Sequence, residues 1–433
     1  MTEPSRAELP DPESADEPAV LARLRRQVPV VVDLLRWIAL GLLVGVLAGA
    51  AGAFFLWSLR WATEQFDTHG ALLWFLPLAG LGIGLAYHYG GGRSVEGNNL
   101  IIDEIHDPTE WVPRRMAPMV LIGTIATHLF GGSAGREGTA IQMSGSLTDA
   151  ASRLLRLGPD DRRVMLITAI AGGFGAVFGV PLAGAVFALE VQSVGRLRYE
   201  ALVPCLTASV TGDLVVRGLG VGHTVTPHLG DVELSVGLLL KVAVAGICFG
   251  LMSLAFVMGD HWVRRSFARW VPWPPARPLI GGVLEIGLTY AVGNRLYNGR
   301  SEGLVELSLF GGDVPTWAFA LKLVFTAVTL GSGFVGGEVT PLFVMGATLG
   351  ATLAVPLGVP PELLAALGFV AVFAGASNTP LACTIMGVEL FGAGAVPYFA
   401  VACVMSYVFS AHQGIYRTQR SAGPKVPHRY ARW

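Results

Sequence analysis

Residues Gly131–Gln142 read GGSAGREGTAIQ, with Arg136 and Glu137 side by side among glycines and apolar runs on both flanks. Further along, GSGFVGGEVTPLFVMGATL sets Gly333, Gly336, Glu338, Thr340 and Gly346 at the spacing of Gly132, Gly135, Glu137, Thr139 and Gly145. Pro181-Leu182-Ala183 is followed by Glu190 nine residues after the proline, and Pro380-Leu381-Ala382 by Glu389 at the same interval. Arg93-Ser94 with Glu96-Gly97 is echoed more loosely by Arg300-Ser301 with Glu302-Gly303. Three matches in one order predict two homologous halves, placed at 31–220 and 221–416. An N-terminal segment, 1–30, precedes them, and a short cytoplasmic tail without a regulatory domain, 417–433, follows.

Of the 433 residues, 52% are hydrophobic and 14% charged, against about 25% charged in soluble domains. The mean hydropathy of +0.57 agrees. Trp37–Leu59, Ala71–Tyr89, Val164–Leu189 and Val236–Met258 approach or exceed the roughly 20 residues of a membrane-spanning helix. Ala117–Phe130, Leu279–Val292, Phe319–Leu330, Pro341–Leu357, Leu364–Ala374 and Val396–Ser410 are shorter, and several are interrupted by Gly or Pro. Such segments predict tilted helices and half-helices that end inside the bilayer. The expected fold is an all-α membrane protein built from two inverted repeats, with half-helix N-termini meeting at a central site.

Basic clusters at Arg23–Arg26, Arg153–Arg163, Arg264–Arg277 and Arg417–Arg432 place those segments, and both termini, on the cytoplasmic side of a plasma (inner) membrane. The start of the chain lacks the short apolar core of a secretory signal. A net charge of −1 gives no reason to expect a nucleic-acid partner. Cys205, Cys248, Cys383 and Cys403 stand at unrelated spacings in apolar segments and read as buried hydrophobes. The nine histidines are scattered, and neither a metal site nor a cofactor is expected.

A helix that begins inside the membrane presents free N–H groups and a positive dipole end, a ready site for an anion. Glu137 stands at the start of such a helix, roughly Thr139–Leu154. Ionised, its carboxylate can occupy the anion site; protonated, it can leave it or donate to a bound anion. A carboxyl group at bilayer depth points to function, here a gate and proton carrier, with a structural cap as the alternative. Arg136 reads as architecture, facing a cavity or carbonyl groups. In the second loop, the Thr340 hydroxyl and the N–H groups around Val339 are anion donors, with Pro341 suited to an early helical position. Glu338 reads equally as an N-terminal cap or a proton-handling group.

A third loop, Gly97-Asn98-Asn99, supplies amide donors, although turn chemistry also accounts for it. Asp103, Glu104, His106 and Asp107 read as a solvated face. Tyr416, past the last apolar segment, is by itself an interfacial anchor.

From about Leu34 to Tyr416 the chain resembles the CLC family of anion channels and anion/proton antiporters. Gly135-Arg136-Glu137-Gly138 resembles the family's gating-glutamate motif, and Phe178 to Gly184, FGVPLAG, its characteristic mid-protein helix. GGEVTP stands where chloride members carry a Gly-x-Phe-x-Pro loop. The departures point to the fluoride branch: Thr139 replaces a proline, Asn98 replaces an anion-coordinating serine, and Val191 replaces an internal proton-transfer glutamate. Tyr416 matches the family's coordinating tyrosine, which displaces the anchor reading. The resemblance implies anion contacts at Asn98, Asn99, Gly138, Thr139, Val339, Thr340 and Tyr416, proton handling at Glu137 and Glu338, and a homodimer with one pathway per subunit.

Fluoride suits this chemistry. It is small and strongly hydrated, so replacing its water requires several well-aimed donors. The expected function is fluoride export in exchange for protons. Chloride transport by a CLC antiporter or channel is the alternative. An intramembrane enzyme using Glu137 and Glu190 is disfavoured, since no nucleophile–base or metal-ligand pattern accompanies them.

Overall fold

The computed structural model describes residues 19–410, 412–423 and 425. The first half contains α1 (Ala19–Thr68), α2 (Leu76–Gly90), α3 (Asn98–His106), α4 (Met116–Leu129), α5 (Glu137–Leu154), α6 (Pro159–Phe178), α7 (Pro181–Glu190) and α8 (Leu202–Gly218). The second contains α9 (Val236–Trp270), α10 (Ala276–Val292), α11 (Glu302–Leu309), α12 (Ala318–Ser332), α13 (Val339–Leu357), α14 (Pro361–Ser377), α15 (Pro380–Phe391) and α16 (Val396–Phe409). Each helix of the first half has its counterpart at the same place in the second, so the duplicated motifs mark two inverted repeats of eight helices. The 30/31 boundary falls inside α1, and residues 1–18 lie outside the described ones. The 220/221 boundary falls in the connection between α8 and α9.

Among the described residues five segments are long and apolar enough to cross a membrane: Val28–Thr68, Gly70–Gly90, Tyr199–Gly218, Val236–Trp270 and Val339–Leu357. The expected single segment Val164–Leu189 is two helices instead. Gly179, at φ 71°, ends α6 in the left-handed conformation that glycine adopts without strain, and Pro181 starts α7. In the second repeat Asn378, at φ 59°, ends α14 and Pro380 starts α15. Apolar continuity concealed the first break; the segment Leu364–Ala374 already stops before the second.

These interruptions leave helix N-termini inside the protein, and the repeats satisfy each other's. Glu190 accepts hydrogen bonds from the Leu381 and Ala382 N–H groups at 3.1 and 2.8 Å. Glu389 accepts from Leu182 and Ala183 at 2.9 and 2.7 Å. Glu190 thus acts as a reciprocal helix cap, which removes the ground for an acid–base role. Cys205, Cys383 and Cys403 are buried, whereas Cys248 is partly exposed, a departure from the expected burial of all four.

The supposed solvated face of α3 is also corrected. Glu104 and His106 are buried, while Asp107 is exposed. Arg93 Nη2 and Arg162 Nη1 donate to Glu104 at 2.7 and 3.1 Å, and Thr109 N–H adds 3.1 Å. Arg162 Nε also binds Asp149 at 2.6 Å. A carboxylate tolerates such burial only when its acceptor sites are filled. Burial raises the Glu104 pKa, but the bonds from Arg93, Glu110 N–H and Arg162 outweigh it and hold the group below its ordinary value of 4.5. The folded-state pKa is therefore depressed, and the stability it confers is present above about 4.5 and lost as pH falls through the folded value. Thermal unfolding should shift to lower temperature on acidification below that point, and Glu104→Gln should flatten part of the dependence.

Residues 419–422 are tied to the body. Arg420–Ser421 pairs in parallel with Ser193–Val194, and Gln419 Nε2 donates to the Val191 and Ser377 carbonyls at 2.8 and 3.0 Å.

Candidate anion site and gate

The two glycine loops meet back to back. Gly135 N–H donates to Gly337 O at 2.7 Å and Gly337 N–H to Gly135 O at 2.8 Å. A Cβ on Gly135 would lie 3.0 Å from the Gly337 carbonyl oxygen, so this approach needs glycine. The pairing brings the N-termini of α5 and α13 together.

Glu137 is the first residue of α5, two residues before the expected start, and is fully buried. Its Oε2 accepts hydrogen bonds from the Thr340 N–H and the Arg136 N–H, both at 3.1 Å. Its Oε1 accepts from the Thr340 hydroxyl. The carboxylate therefore occupies the positive end of α13, a helix of the opposite repeat, as an anion would. Of the arrangements open from sequence, this is the one in which Glu137 fills the cradle itself.

Two cavities are lined by residues adjacent to Glu137 in sequence or bonded to it. One, of about 150 Å³, is lined by Asn98, Gly138, Glu338, Val339 and Tyr416 together with Arg264. The other, of about 50 Å³, is lined by Arg136, Phe178, Thr340, Phe343, Phe369 and Glu302 among others. Arg136 and Gly138 flank Glu137 in sequence yet line different cavities, and so do Val339 and Thr340. Glu137 itself lines neither; its sequence neighbours and its partner Thr340 divide between the two.

Asn98 begins α3, and its Nδ2 lies 3.0 Å from where a Cβ on Gly138 would be. Its Oδ1 is buried without a hydrogen-bond partner among the described residues. Asn99 lines the same cavity and also takes bonds from the segment after Tyr416: the Thr418 N–H and hydroxyl donate to its Oδ1 and carbonyl oxygen at 3.3 and 3.1 Å. Tyr416 is 4% exposed, its ring 6.2 Å from that of Phe187. The Thr139 hydroxyl is paired with Thr124 at 2.6 Å. It ties α5 to α4 and lines neither cavity. The Arg136 guanidinium lies 5.8 Å from the Phe178 ring centre, an architectural contact with the second cavity's wall.

Several contributors were missed from sequence. Lys322 on α12 is buried, and its ammonium donates to Ser133 and Ser301 hydroxyls, both at 2.9 Å, and to Tyr297 and Gly299 carbonyls at 3.1 and 2.8 Å. It fastens the loop before the gate to the opposite repeat. Asp260 and Arg264, on α9, pair at 2.6 Å, and Arg264 Nη2 reaches Glu338 at 3.5 Å. The readable signals were a lysine inside an apolar run and an Asp–Arg pair four residues apart near the end of another.

Comparison with known proteins identifies the family. The sequence profile described as voltage gated chloride channel matches residues 79–411. The chain belongs to this family, the CLC family. A CLC relative from Pseudomonas syringae pv. tomato, named chloride/fluoride channel protein, is 48% identical over 418 residues, covering 94% of this chain and 92% of its own. Among CLC structures, the crystal structure of a CLC-type fluoride/proton antiporter superposes with a TM-score of 0.88 at 34% identity, covering 90% of this chain and 99% of that one. A slow cyanobacterial chloride/proton antiporter shares the CLC fold at a TM-score of 0.74 and 20% identity, covering 87% and 94%. Membership in CLC places the chain among membrane ion-transport proteins rather than enzymes.

Proposed function

We propose that the protein is a fluoride/proton antiporter of the plasma membrane, exporting fluoride against inward proton movement with Glu137 as gate and proton carrier. The observation that carries this reading is the Glu137 carboxylate held by Thr340 and Arg136 donors, in the place an anion would take at the N-terminus of α13. Fluoride is the halide nearest a carboxylate oxygen in basicity and hydrogen-bond demand. A ligand that displaces Glu137 inherits the Thr340 N–H and hydroxyl, and the Asn98 amide is within reach of the neighbouring Gly138 position. Protonated, Glu137 no longer competes as an anion for the N-terminus of α13. One carboxyl group then couples the two ions: fluoride enters when Glu137 is neutral, and Glu137 returns when it loses its proton.

Asn98 is the preferred ion-facing amide, because its Nδ2 lies beside Gly138, whereas the Asn99 side-chain oxygen is held by Thr418. The likeness to a fluoride/proton antiporter supports fluoride over chloride. The cavity bearing Arg264 and Arg417 opens to the cytoplasmic side on this reading, with both termini there and two chains forming a dimer.

The test is efflux from proteoliposomes loaded with fluoride or with chloride, with internal pH followed. Fluoride should leave faster than chloride while protons enter. Equal rates would return the protein to chloride transport, and fluoride movement without protons would make it a channel.

A further inference from the structure

The cavity beside Asn98 holds carboxyl groups from two elements joined by one guanidinium. Asp260 lies in the C-terminal part of α9, and Glu338 stands at the head of α13. Arg264 Nε donates to Asp260 Oδ2 at 2.6 Å, and its Nη2 donates to Glu338 Oε1 at 3.5 Å. Asp260 is 5% exposed, and its Oδ1 is buried without a hydrogen-bond partner among the described residues. The other titratable or charged groups facing this cavity are Tyr87, Glu96, His261, Tyr416 and Arg417, with Glu137 behind Gly138.

Arg264 is the guanidinium bonded to both carboxyl groups. Arg417, on the same cavity, is exposed and makes no hydrogen bond to either among the described residues. One carboxylate charge is therefore surplus, without a bonded cation beside the buried Asp260 Oδ1, which is costly. One proton held between the two carboxyl groups removes the surplus, leaving one neutral carboxyl, one carboxylate and Arg264. The bare Oδ1 of Asp260 is where such a proton can reside. We infer that Asp260 and Glu338, joined by Arg264, hold one exchangeable proton and form the inner proton station of the transport cycle. This rests on the fluoride/proton reading above. In export, the O–H bond of Glu137 breaks and its proton forms an O–H bond on the pair, whose charge with Arg264 goes from −1 to zero. The pair then releases that proton to cavity water as hydronium and returns to −1. No other reactant is needed.

The test uses the full chain in fluoride-loaded liposomes, with a fluoride electrode and an internal pH dye read together for wild type, Asp260→Asn and Asp260→Glu. Asp260→Asn should lower proton flux relative to fluoride flux roughly tenfold or more, the effect of about 1.4 kcal/mol on a barrier, and displace the internal pH profile. Asp260→Glu should restore both. A wild type that moves fluoride without protons sinks the exchange reading itself. A coupled wild type whose Asp260→Asn variant keeps the same flux ratio and pH profile overturns only this inference, leaving Asp260 a structural ion pair. Should Asp260→Asn not purify as a monodisperse protein, infrared difference spectra decide: a carboxyl C=O band that titrates in the wild type and moves in Asp260→Glu supports the shared proton, and an unmoved or absent band refutes it.

Discussion

Glu137→Gln should abolish proton movement coupled to fluoride, lowering proton flux roughly tenfold or more, a change of at least about 1.4 kcal/mol in the barrier. Glutamine is close to glutamate in shape, so the variant should fold and can still accept hydrogen bonds from Thr340 through its amide oxygen. Two properties are lost. The side chain carries no charge to attract it to the α13 N-terminus, and it has no proton to gain or release near neutral pH. Where the native Oε2 takes both the Thr340 and Arg136 N–H groups at 3.1 Å, the variant also has an NH₂ group that must avoid them. The side chain should therefore bind its seat more weakly. Residual fluoride movement in this variant, if any, should be insensitive to a proton gradient. The decisive measurement is simultaneous fluoride and proton flux from the same liposomes. Proton-coupled exchange at the wild-type rate would exclude Glu137 as the carrier.

How much of this was legible in the chain depended on what each residue must do locally. The gate loop was readable because a charged pair among glycines has few structural uses inside a membrane, and because its partner recurs around Glu338. Helix starts near Glu137 and Val339 followed from the same loops. The repeat was visible for a similar reason: glycine, proline and glutamate at helix ends are fixed by backbone geometry, whereas the apolar helix bodies are interchangeable. That interchangeability hid the break at Gly179, where hydrophobicity continues although the helix does not. The partner of the Thr139 hydroxyl was not legible, because sequence does not give a hydroxyl's direction; helix geometry sends it to Thr124. Glu104 read as solvated since its cations, Arg93 and Arg162, are remote in sequence. Asp260 and Arg264 were absorbed into a basic cluster for the same reason, their relation to Glu338 existing only after α9 and α13 pack.

The largest effect on stability is expected at Glu190. Its two carboxylate oxygens each take one backbone N–H of α15, Leu381 at 3.1 Å and Ala382 at 2.8 Å. Glu190→Ala leaves both donors without a partner inside the protein, where each costs about 1–3 kcal/mol, or about 2–6 kcal/mol together. Glu190→Gln can satisfy one N–H with its oxygen but sets its own NH₂ against the other, so an intermediate loss is expected. The symmetry mate supplies the control. Glu389 caps α7 in the same way, but it is less buried than Glu190, and water can take over part of its role. Glu389→Ala should therefore be milder than Glu190→Ala, although the two motifs are equivalent in sequence. Thermal unfolding of the purified variants in one detergent checks this ordering. Flux per folded molecule checks the other half of the argument: in whatever Glu190→Gln protein remains folded, the ratio of proton to fluoride movement should match the wild type, because this carboxylate is committed to the N-terminus of α15. A changed ratio with unchanged stability would assign Glu190 to the proton path and leave α15 to be capped by water.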